Sequence, residues 1–200
     1  MRLLVPFAIA ALAAAPATAD QVTGEPAGNF RLIDANGKVV TLSQFKGRPV
    51  VLEWNNPGCP FVQKHYASGN MQAAQAKAKA MGAAWLTINS GAPGKQGYMT
   101  GPEAKAFVSK EKAVPTAYLL DPQGRVGKGY GAKTTPHMYL IDASGTLVYQ
   151  GGIDDKPTAD QADIAGARNH LLAALGEVKA GKKVSVPEAR PYGCSVKYAD

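Results

Sequence analysis

The segment PVVLEWNNPGCPF, residues 49–61, joins three kinds of local structure within a short stretch of chain. Residues 49–54 form a short apolar run that is typical of a strand buried on both faces. The residues from Asn55 to Gly58 favour a turn, and Pro60 suits the first position of a helix because its φ is already helical and its missing N–H would have no partner there. The segment therefore predicts a strand, a turn and a helix that begins directly after Cys59.

Cys59 occupies the position of this segment where a thiol is most easily activated. The thiolate is the nucleophile, and its pKa falls at a helix N-terminus because backbone N–H groups point at the sulfur. As the capping residue, Cys59 is expected to receive the N–H groups of Phe61 and Val62. The strand–turn–helix order also places it at the carboxyl end of a central strand, where open α/β sheets build their sites. We therefore predict a redox or nucleophilic role for Cys59.

The rest of the chain alternates between strand and helix patterns. Residues 30–42, FRLIDANGKVVTL, alternate apolar and polar residues around an Asn-Gly turn, which predicts a β-hairpin. Further strands are predicted at residues 83–89, 117–121, 137–142 and 146–150. Helices are predicted after Cys59 with an interruption at residues 68–70, after the Thr100–Glu103 capping box, and from the Thr158–Gln161 capping pair to Gly181. This order predicts an α/β fold with a mixed central sheet, helices on both faces and an N-terminal β-hairpin extension.

The N-terminal residues have the pattern of an export signal. An apolar run from Leu3 to Ala15 is followed by the small residues Ala17, Thr18 and Ala19, which predicts a signal peptide at residues 1–19. The run is too short to span a bilayer, so we expect a periplasmic or secreted protein with no stable membrane insertion after cleavage. Residues 20–181 are then one domain, and residues 182–200 are an irregular tail.

Composition limits the class of protein further. Hydrophobic residues make up 46% of the chain and charged residues 18%, which excludes a disordered or collagen-like protein. The formal net charge is +7, but the lysines are scattered without a dense run. This pattern indicates a solvated basic surface and no nucleic-acid partner.

The chain has two cysteines, and the second, Cys194, lies in the tail. In an exported protein the pair is a candidate for a structural disulfide, and closing so long a loop would stabilise the fold by about 4–5 kcal/mol in the chain-entropy model. A cysteine in an irregular tail is equally suited to react with an oxidised Cys59. The residues alone leave both interpretations open.

Several motifs, taken in order, resemble the thioredoxin superfamily, and within it the exported peroxiredoxin-like redoxins known as alkyl hydroperoxide reductase or thiol-specific antioxidant proteins. The resemblance implies a thioredoxin-like three-layer sandwich and a thiol-dependent oxidoreductase that needs no cofactor. It further implies that Cys59 reduces peroxides, that Cys194 resolves the oxidised sulfur, and that an external thiol reductant such as a thioredoxin-like donor completes the cycle. The motifs are WNNPGCPF, CPFVQKHYASGNM, WLTINSGAPGKQG, YGAKTTPHMYLID, GGIDDKP and YGCSVKY.

The resemblance also assigns roles to single residues. Asn56 stands where thioredoxins carry the first cysteine and peroxiredoxins a threonine, so it would orient a peroxide or a neighbouring backbone group, and a two-cysteine exchange within the loop is excluded. A cis-proline facing the cysteine is implied, and we assign it to Pro136 rather than Pro115 because the strand, turn, strand and helix that follow it fit the superfamily. Arg125 is the candidate for a thiolate-stabilising arginine. The remaining residues of the predicted active-site loop are Trp54, Asn55, Pro57, Gly58, Pro60 and Thr135.

Other constellations favour structural roles. His65 and His137 invite a metal site with Cys59, but the chain lacks the second nearby cysteine that such sites use, so we predict no metal. Asp154 and Asp155 are interpreted as a polar turn and helix-start charge. Two alternatives to peroxide reduction stay open: a thiol-disulfide oxidoreductase, and a non-enzymatic redoxin-fold binding module stapled by a Cys59–Cys194 disulfide.

Overall fold

Strands and helices alternate along the chain in the predicted order. The computed structural model describes residues 21–199, so the predicted signal peptide at residues 1–19 lies outside the described residues. The strands are β1 (Arg31–Asp34), β2 (Val39–Thr41), β3 (Val50–Trp54), β4 (Ala84–Asn89), β5 (Ala117–Leu120), β6 (Thr134–Thr135), β7 (His137–Ile141), β8 (Leu147–Gly151) and β9 (Cys194–Ser195). The helices are α1 (Pro60–Ala67), α2 (Asn70–Ala80), α3 (Gly101–Lys110), α4 (Arg125–Gly129) and α5 (His170–Lys179). Within residues 21–199, no helix is long and apolar enough to cross a bilayer.

One mixed sheet of seven strands forms the centre of the molecule, in the order β2-β1-β5-β4-β3-β7-β8. The strands β3, β4 and β5 run parallel, whereas β7, β8 and the β1–β2 hairpin are antiparallel to their neighbours. Every residue of β3 and β4 is buried, as expected for central strands covered on both faces. The helices α1, α2, α3 and α5 pack on one face, and the short α4 and the N-terminal segment cover the other. The mixed sheet and the hairpin extension are confirmed.

A buried carboxyl group lies in the middle of β3. Glu53 is fully buried, and the side chains of five residues donate hydrogen bonds to its two oxygens. Burial raises the pKa of this carboxyl group, and the hydrogen bonds offset part of that effect. The donors join β3 to both helices α1 and α2 and to β4; they are Asn55, Tyr66, Gln75, Trp85 and Thr87.

The prediction for the start of the last helix is wrong. Residues 161–166 form a 3-10 turn, and α5 begins only at His170, where the Asn169 side chain accepts a hydrogen bond from the Leu172 N–H at 2.8 Å. The Thr158 hydroxyl, proposed as the cap, donates to the Asp163 carboxylate instead. Buried apolar side chains begin at Leu171, so packing against the sheet selects the later start. The predicted interruption at residues 68–70 is confirmed, since α1 and α2 are separate helices.

The C-terminal tail is more ordered than its irregular sequence indicates. Its first part follows the edge of the sheet, where the Gln150 N–H donates to the Pro187 carbonyl at 3.0 Å and the Ala189 N–H donates to the Gln150 carbonyl at 3.1 Å. The tail then forms β9, which pairs antiparallel with β6. A chain end with no helical or strand periodicity is thus fixed by backbone pairing with distant residues.

We expect Glu53→Gln to lower the free energy of unfolding by about 1–3 kcal/mol, because an amide nitrogen would replace a carboxyl oxygen that now accepts hydrogen bonds. At one oxygen position the Trp85 indole can only donate, and at the other Asn55 and Tyr66 can accept only after reversing their present hydrogen bonds. Urea unfolding of both proteins measures the difference. Glu25→Gln, on an exposed residue, is the control and should change the midpoint little. An unchanged midpoint for Glu53→Gln would refute the argument.

Candidate active site at Cys59

Cys59 lies at the junction of the central strand and the first helix. It has extended backbone angles (φ −85°, ψ 123°) and precedes Pro60, the first residue of α1. Its carbonyl accepts the Gln63 N–H at 2.9 Å, which starts the helical hydrogen-bond series. The thiol donates a hydrogen bond to the Thr135 carbonyl at 3.0 Å. The Thr135–Pro136 peptide bond is cis, as predicted for the proline that faces the cysteine.

The tail brings Cys194 to the same place. In the β6–β9 pair, Cys194 is opposite Thr135 and Ser195 is opposite Thr134. Gly193 permits this close approach, because a Cβ there would lie 2.0 Å from the Thr135 carbonyl oxygen and its φ of +131° is one that favours glycine. Both cysteines are free thiols, and the Cys194 side chain lies within hydrogen-bonding reach of the Cys59 sulfur.

The two thiols differ in acidity. Burial raises the pKa of Cys59, but hydrogen bonds to the side chains of Cys194 and Thr135 and to the N–H groups of Cys194 and Val62 outweigh it and leave the pKa below its ordinary value. Burial raises the pKa of Cys194 to about 11, and its hydrogen bond to Cys59 and the proximity of that group add to the effect. Cys59 is therefore the more acidic of the two thiols, and Cys194 is the one that holds its proton more tightly.

One of the two backbone N–H groups predicted to stabilise the Cys59 thiolate does so. The Val62 N–H hydrogen-bonds to the Cys59 sulfur and lowers the pKa of that thiol. Phe61, the other residue predicted to donate, packs its ring against Tyr192 with ring centroids 5.9 Å apart. The Cys59 side chain is fully buried, whereas Cys194 keeps partial exposure. Cys194 and the tail therefore cover the sulfur of Cys59.

The loop that precedes Cys59 is fixed by its own side chains. The amide of Asn56 donates to the Gln96 side chain at 2.9 Å and accepts from the Gly58 N–H at 2.9 Å. Asn56 therefore supports the loop backbone, the second of the two roles that its chemistry allows. Pro57 accepts a hydrogen bond from the Gln63 side chain through its carbonyl.

Trp54 and Asn55, which end the central strand, are held from the neighbouring strands. The Trp54 indole N–H donates to the Ser90 hydroxyl at 3.0 Å. The Tyr118 hydroxyl donates to the Asn55 side chain at 2.9 Å. These contacts tie the start of the loop to residues that follow β4 and to β5.

A buried polar cluster under the C-terminal tail is not predicted by the sequence pattern. Asp154, predicted as part of a polar turn and as helix-start charge, is 3% exposed, accepts the Tyr192 hydroxyl at 2.5 Å and the Lys156 N–H at 3.0 Å, and is not at the start of α5, which begins at His170. Tyr192 also contacts the His65 imidazole at 3.1 Å, and the other ring nitrogen of His65 is 2.7 Å from the Asn70 amide. The sequence could not predict this contact, because Tyr192 lies far along the chain from both Asp154 and His65.

His65 and His137 are both buried and contact neighbouring side chains within the fold. Burial lowers the pKa of His65 to about 4, although the nearby Asp154 opposes the shift. Burial likewise lowers the pKa of His137 to about 3, and its ring packs on Tyr139. Within residues 21–199, no group of three or more His, Cys, Asp or Glu residues is arranged to hold a metal ion. Arg125 is exposed at the start of α4 and does not contribute to the pKa shift of Cys59.

Comparison with known families agrees with this geometry. The sequence profile described as the AhpC/TSA family matches residues 23–150. This chain belongs to the AhpC/TSA family. The matched residues contain Cys59 and Pro136, whereas Cys194 lies beyond them. No curated protein matches the sequence.

Solved structures extend the likeness to most of the chain. A hypothetical protein from Sinorhizobium meliloti is 28% identical with a TM-score of 0.76, and the match covers 90% of this chain and 97% of that one. An uncharacterised conserved protein from Geobacillus kaustophilus is 26% identical with a TM-score of 0.74, covering 89% and 93%. A putative thiol:disulfide interchange protein DsbE from Chlorobium tepidum is 28% identical with a TM-score of 0.54, covering 66% and 85%. The chain is thus a thioredoxin-superfamily redoxin with the fold of thiol-disulfide oxidoreductases.

We expect Thr135→Val to raise the pKa of Cys59, because the Thr135 hydroxyl lowers that pKa and also donates to the Cys194 carbonyl at 3.4 Å, and valine removes both contacts while keeping the size of the residue. A pH titration of the thiolate ultraviolet absorbance in a Cys194→Ser background, where Cys59 is the remaining cysteine, measures the shift. Thr134→Val is the control, since the Thr134 hydroxyl bonds to the Pro136 carbonyl instead. Equal titration curves for the two valine variants would contradict the assignment.

Proposed function

We propose that the protein reduces peroxides through Cys59, with Cys194 as the resolving cysteine. The observation that carries the proposal is the contact between the two thiols in their reduced state, across the β6–β9 pair. In a peroxidatic pair one sulfur must attack as a thiolate and the other must be near enough to condense with it. The lowered pKa of Cys59 and the raised pKa of Cys194 suit these two roles.

The proposed cycle has three balanced steps. The Cys59 thiolate attacks one peroxide oxygen, the O–O bond breaks, and the departing alkoxide or hydroxide takes a proton, which leaves a sulfenic acid on Cys59. The Cys194 sulfur then attacks the Cys59 sulfur, the disulfide forms, and the hydroxyl of the sulfenic acid leaves as water with the proton of Cys194. Finally, an external dithiol reduces the bond by thiol–disulfide exchange and is itself oxidised to a disulfide.

The surrounding residues support the first and second steps. The N–H groups of Val62 and Cys194 stabilise negative charge on the Cys59 sulfur. The pairing of β6 with β9 holds Cys194 beside that sulfur, so the two sulfurs can condense without a large movement of the tail. A disulfide or dithiol partner outside the cytoplasm fits the predicted export signal, and we propose a periplasmic or secreted location on that sequence feature.

Thiol-disulfide exchange with another protein is the second candidate. A specific observation favours it, because the similar structure from Chlorobium tepidum is described as a putative thiol:disulfide interchange protein. The same two sulfurs would serve, with a substrate disulfide as the oxidant in place of a peroxide. A permanent staple would join the same two sulfurs, and it differs from both candidates in resisting reduction by thiol donors.

We expect one equivalent of hydrogen peroxide, added to the fully reduced protein, to remove both free thiols and lower the intact mass by two hydrogens, about 2 Da, because the cycle ends in an intramolecular disulfide. Cys59→Ser should abolish the reaction. Cys194→Ser should stop it at the sulfenic acid, which dimedone traps. Mass spectrometry and thiol counting measure all three.

The control is the same protein treated with catalase before peroxide is added. Reduced protein whose two thiols survive peroxide would exclude peroxide reduction. If a small disulfide nevertheless oxidises the pair, thiol-disulfide exchange becomes the favoured function.

A further inference from the structure

We infer that Tyr192 and Tyr198 are positioning residues that determine substrate class: by fixing the tail across β6, they leave Cys59 open to small oxidants and close it to polypeptide disulfides. The inference rests on the proposed role of Cys59 as the reactive thiol. It concerns which molecules reach the sulfur, a property that the cysteine pair alone does not set.

Tyr192 anchors the tail immediately before Cys194. Its hydroxyl donates to Asp154 at 2.5 Å and contacts His65 at 3.1 Å, both of which are buried. Its ring packs against Phe61 in the first turn of α1, and the Lys64 ammonium lies 5.8 Å from the ring centroid. A tyrosine with both its ring and its hydroxyl engaged in this way is a firm attachment point.

Tyr198 anchors the tail on the other side of Cys194. Its hydroxyl donates to the Ala132 carbonyl at 2.7 Å. Its ring lies against Gly124 and Gly127, where an added Cβ would come within 2.5 Å of the ring or the hydroxyl, so the two glycines make the space that the ring fills. The backbone between the anchors is held as well, since the Val196 N–H donates to the Lys133 carbonyl and the Lys197 carbonyl accepts from Ala92.

The two anchors together occupy a sheet edge that a substrate polypeptide would need. An extended peptide binds a strand edge through the backbone groups of that strand. Here the backbone of β6, next to Cys59, is already paired with β9. The Cys59 sulfur is buried beneath Cys194, so a small oxidant can reach it when the Cys194 side chain turns aside, whereas a polypeptide disulfide needs the tail to leave β6. The tail therefore selects by size and by backbone pairing.

Release of the tail can be produced from two independent directions. Tyr198→Ala removes the second anchor, so that only Tyr192 and the backbone pairing still hold the tail. Gly193→Ala forces a Cβ to within 2.0 Å of the Thr135 carbonyl oxygen at a φ of +131°, which expels the strand without changing any core side chain. Ser195→Ala, on an exposed side chain of β9, is the matched control. Tyr198→Phe keeps the ring and loses only the hydroxyl.

The test compares two disulfides with the same leaving group in the full chain carrying Cys194→Ser. One is the thionitrobenzoate mixed disulfide of cysteamine, and the other is that of a capped Ala-Ala-Cys-Ala-Ala peptide. Release of the tail also withdraws the residue-194 N–H from the Cys59 sulfur and so changes both rates, which is why their ratio is the readout. Because only the open fraction of the protein can react with the peptide, we expect Tyr198→Ala and Gly193→Ala each to raise the ratio of the peptide rate to the cysteamine rate at least about tenfold. Ser195→Ala should change neither rate, and Tyr198→Phe should keep most of the exclusion.

Hydrogen exchange at the Val196 N–H reports the position of the tail, because this group donates to the Lys133 carbonyl across the pair. Faster exchange without a gain in the ratio of the two rates would overturn the inference, as would slow exchange in both release variants. Equal gains for the two disulfides would also overturn it, since they would indicate a general opening of the site. The assay uses no peroxide. If the protein discriminates between the two disulfides but does not reduce peroxide, the proposed function is wrong and the inference about the tail stands.

Discussion

The pairing of Thr134–Thr135 with Cys194–Ser195 is the contact on which the arrangement of the active site depends. It joins the end of the chain to the residues just before the cis-proline, and so it brings Cys194 to the sulfur of Cys59. The pair is only two residues long, too short to be stable alone. Its persistence therefore depends on the attachments on either side, at Tyr192 and Tyr198.

This contact also explains the difference between the two thiols. Cys59 gains hydrogen bonds from the backbone and side chain of Cys194, and these oppose the cost of burying a charge on its sulfur. Burial raises the pKa of Cys194, and its position beside Cys59 raises that pKa further. The pairing thus contributes to dividing the two cysteines into a nucleophile and a proton-bearing partner. The tail that supplies Cys194 is the same segment that limits access to Cys59.

Local chemistry in the sequence was sufficient for the parts of the molecule that local interactions determine. The strand, turn and helix around Cys59, the N-terminal hairpin and the cis bond at Pro136 follow from short patterns and from the family resemblance. The buried role of Asp154 did not, because its partner Tyr192 lies 38 residues away and the sequence records no contact between them. The start of α5 was misplaced for a related reason, since packing against the sheet, rather than the nearest capping residues, fixes it.

An equilibrium redox titration determines whether Cys59 and Cys194 are a reversible redox pair held in contact. Protein is equilibrated in glutathione buffers of graded potential, quenched with acid and analysed by intact mass. We expect one two-electron transition between the dithiol and the intramolecular disulfide, with little glutathione adduct, because a neighbouring thiol displaces glutathione quickly. Separate glutathione adducts on the two cysteines, or a disulfide that survives the most reducing buffer, would contradict it.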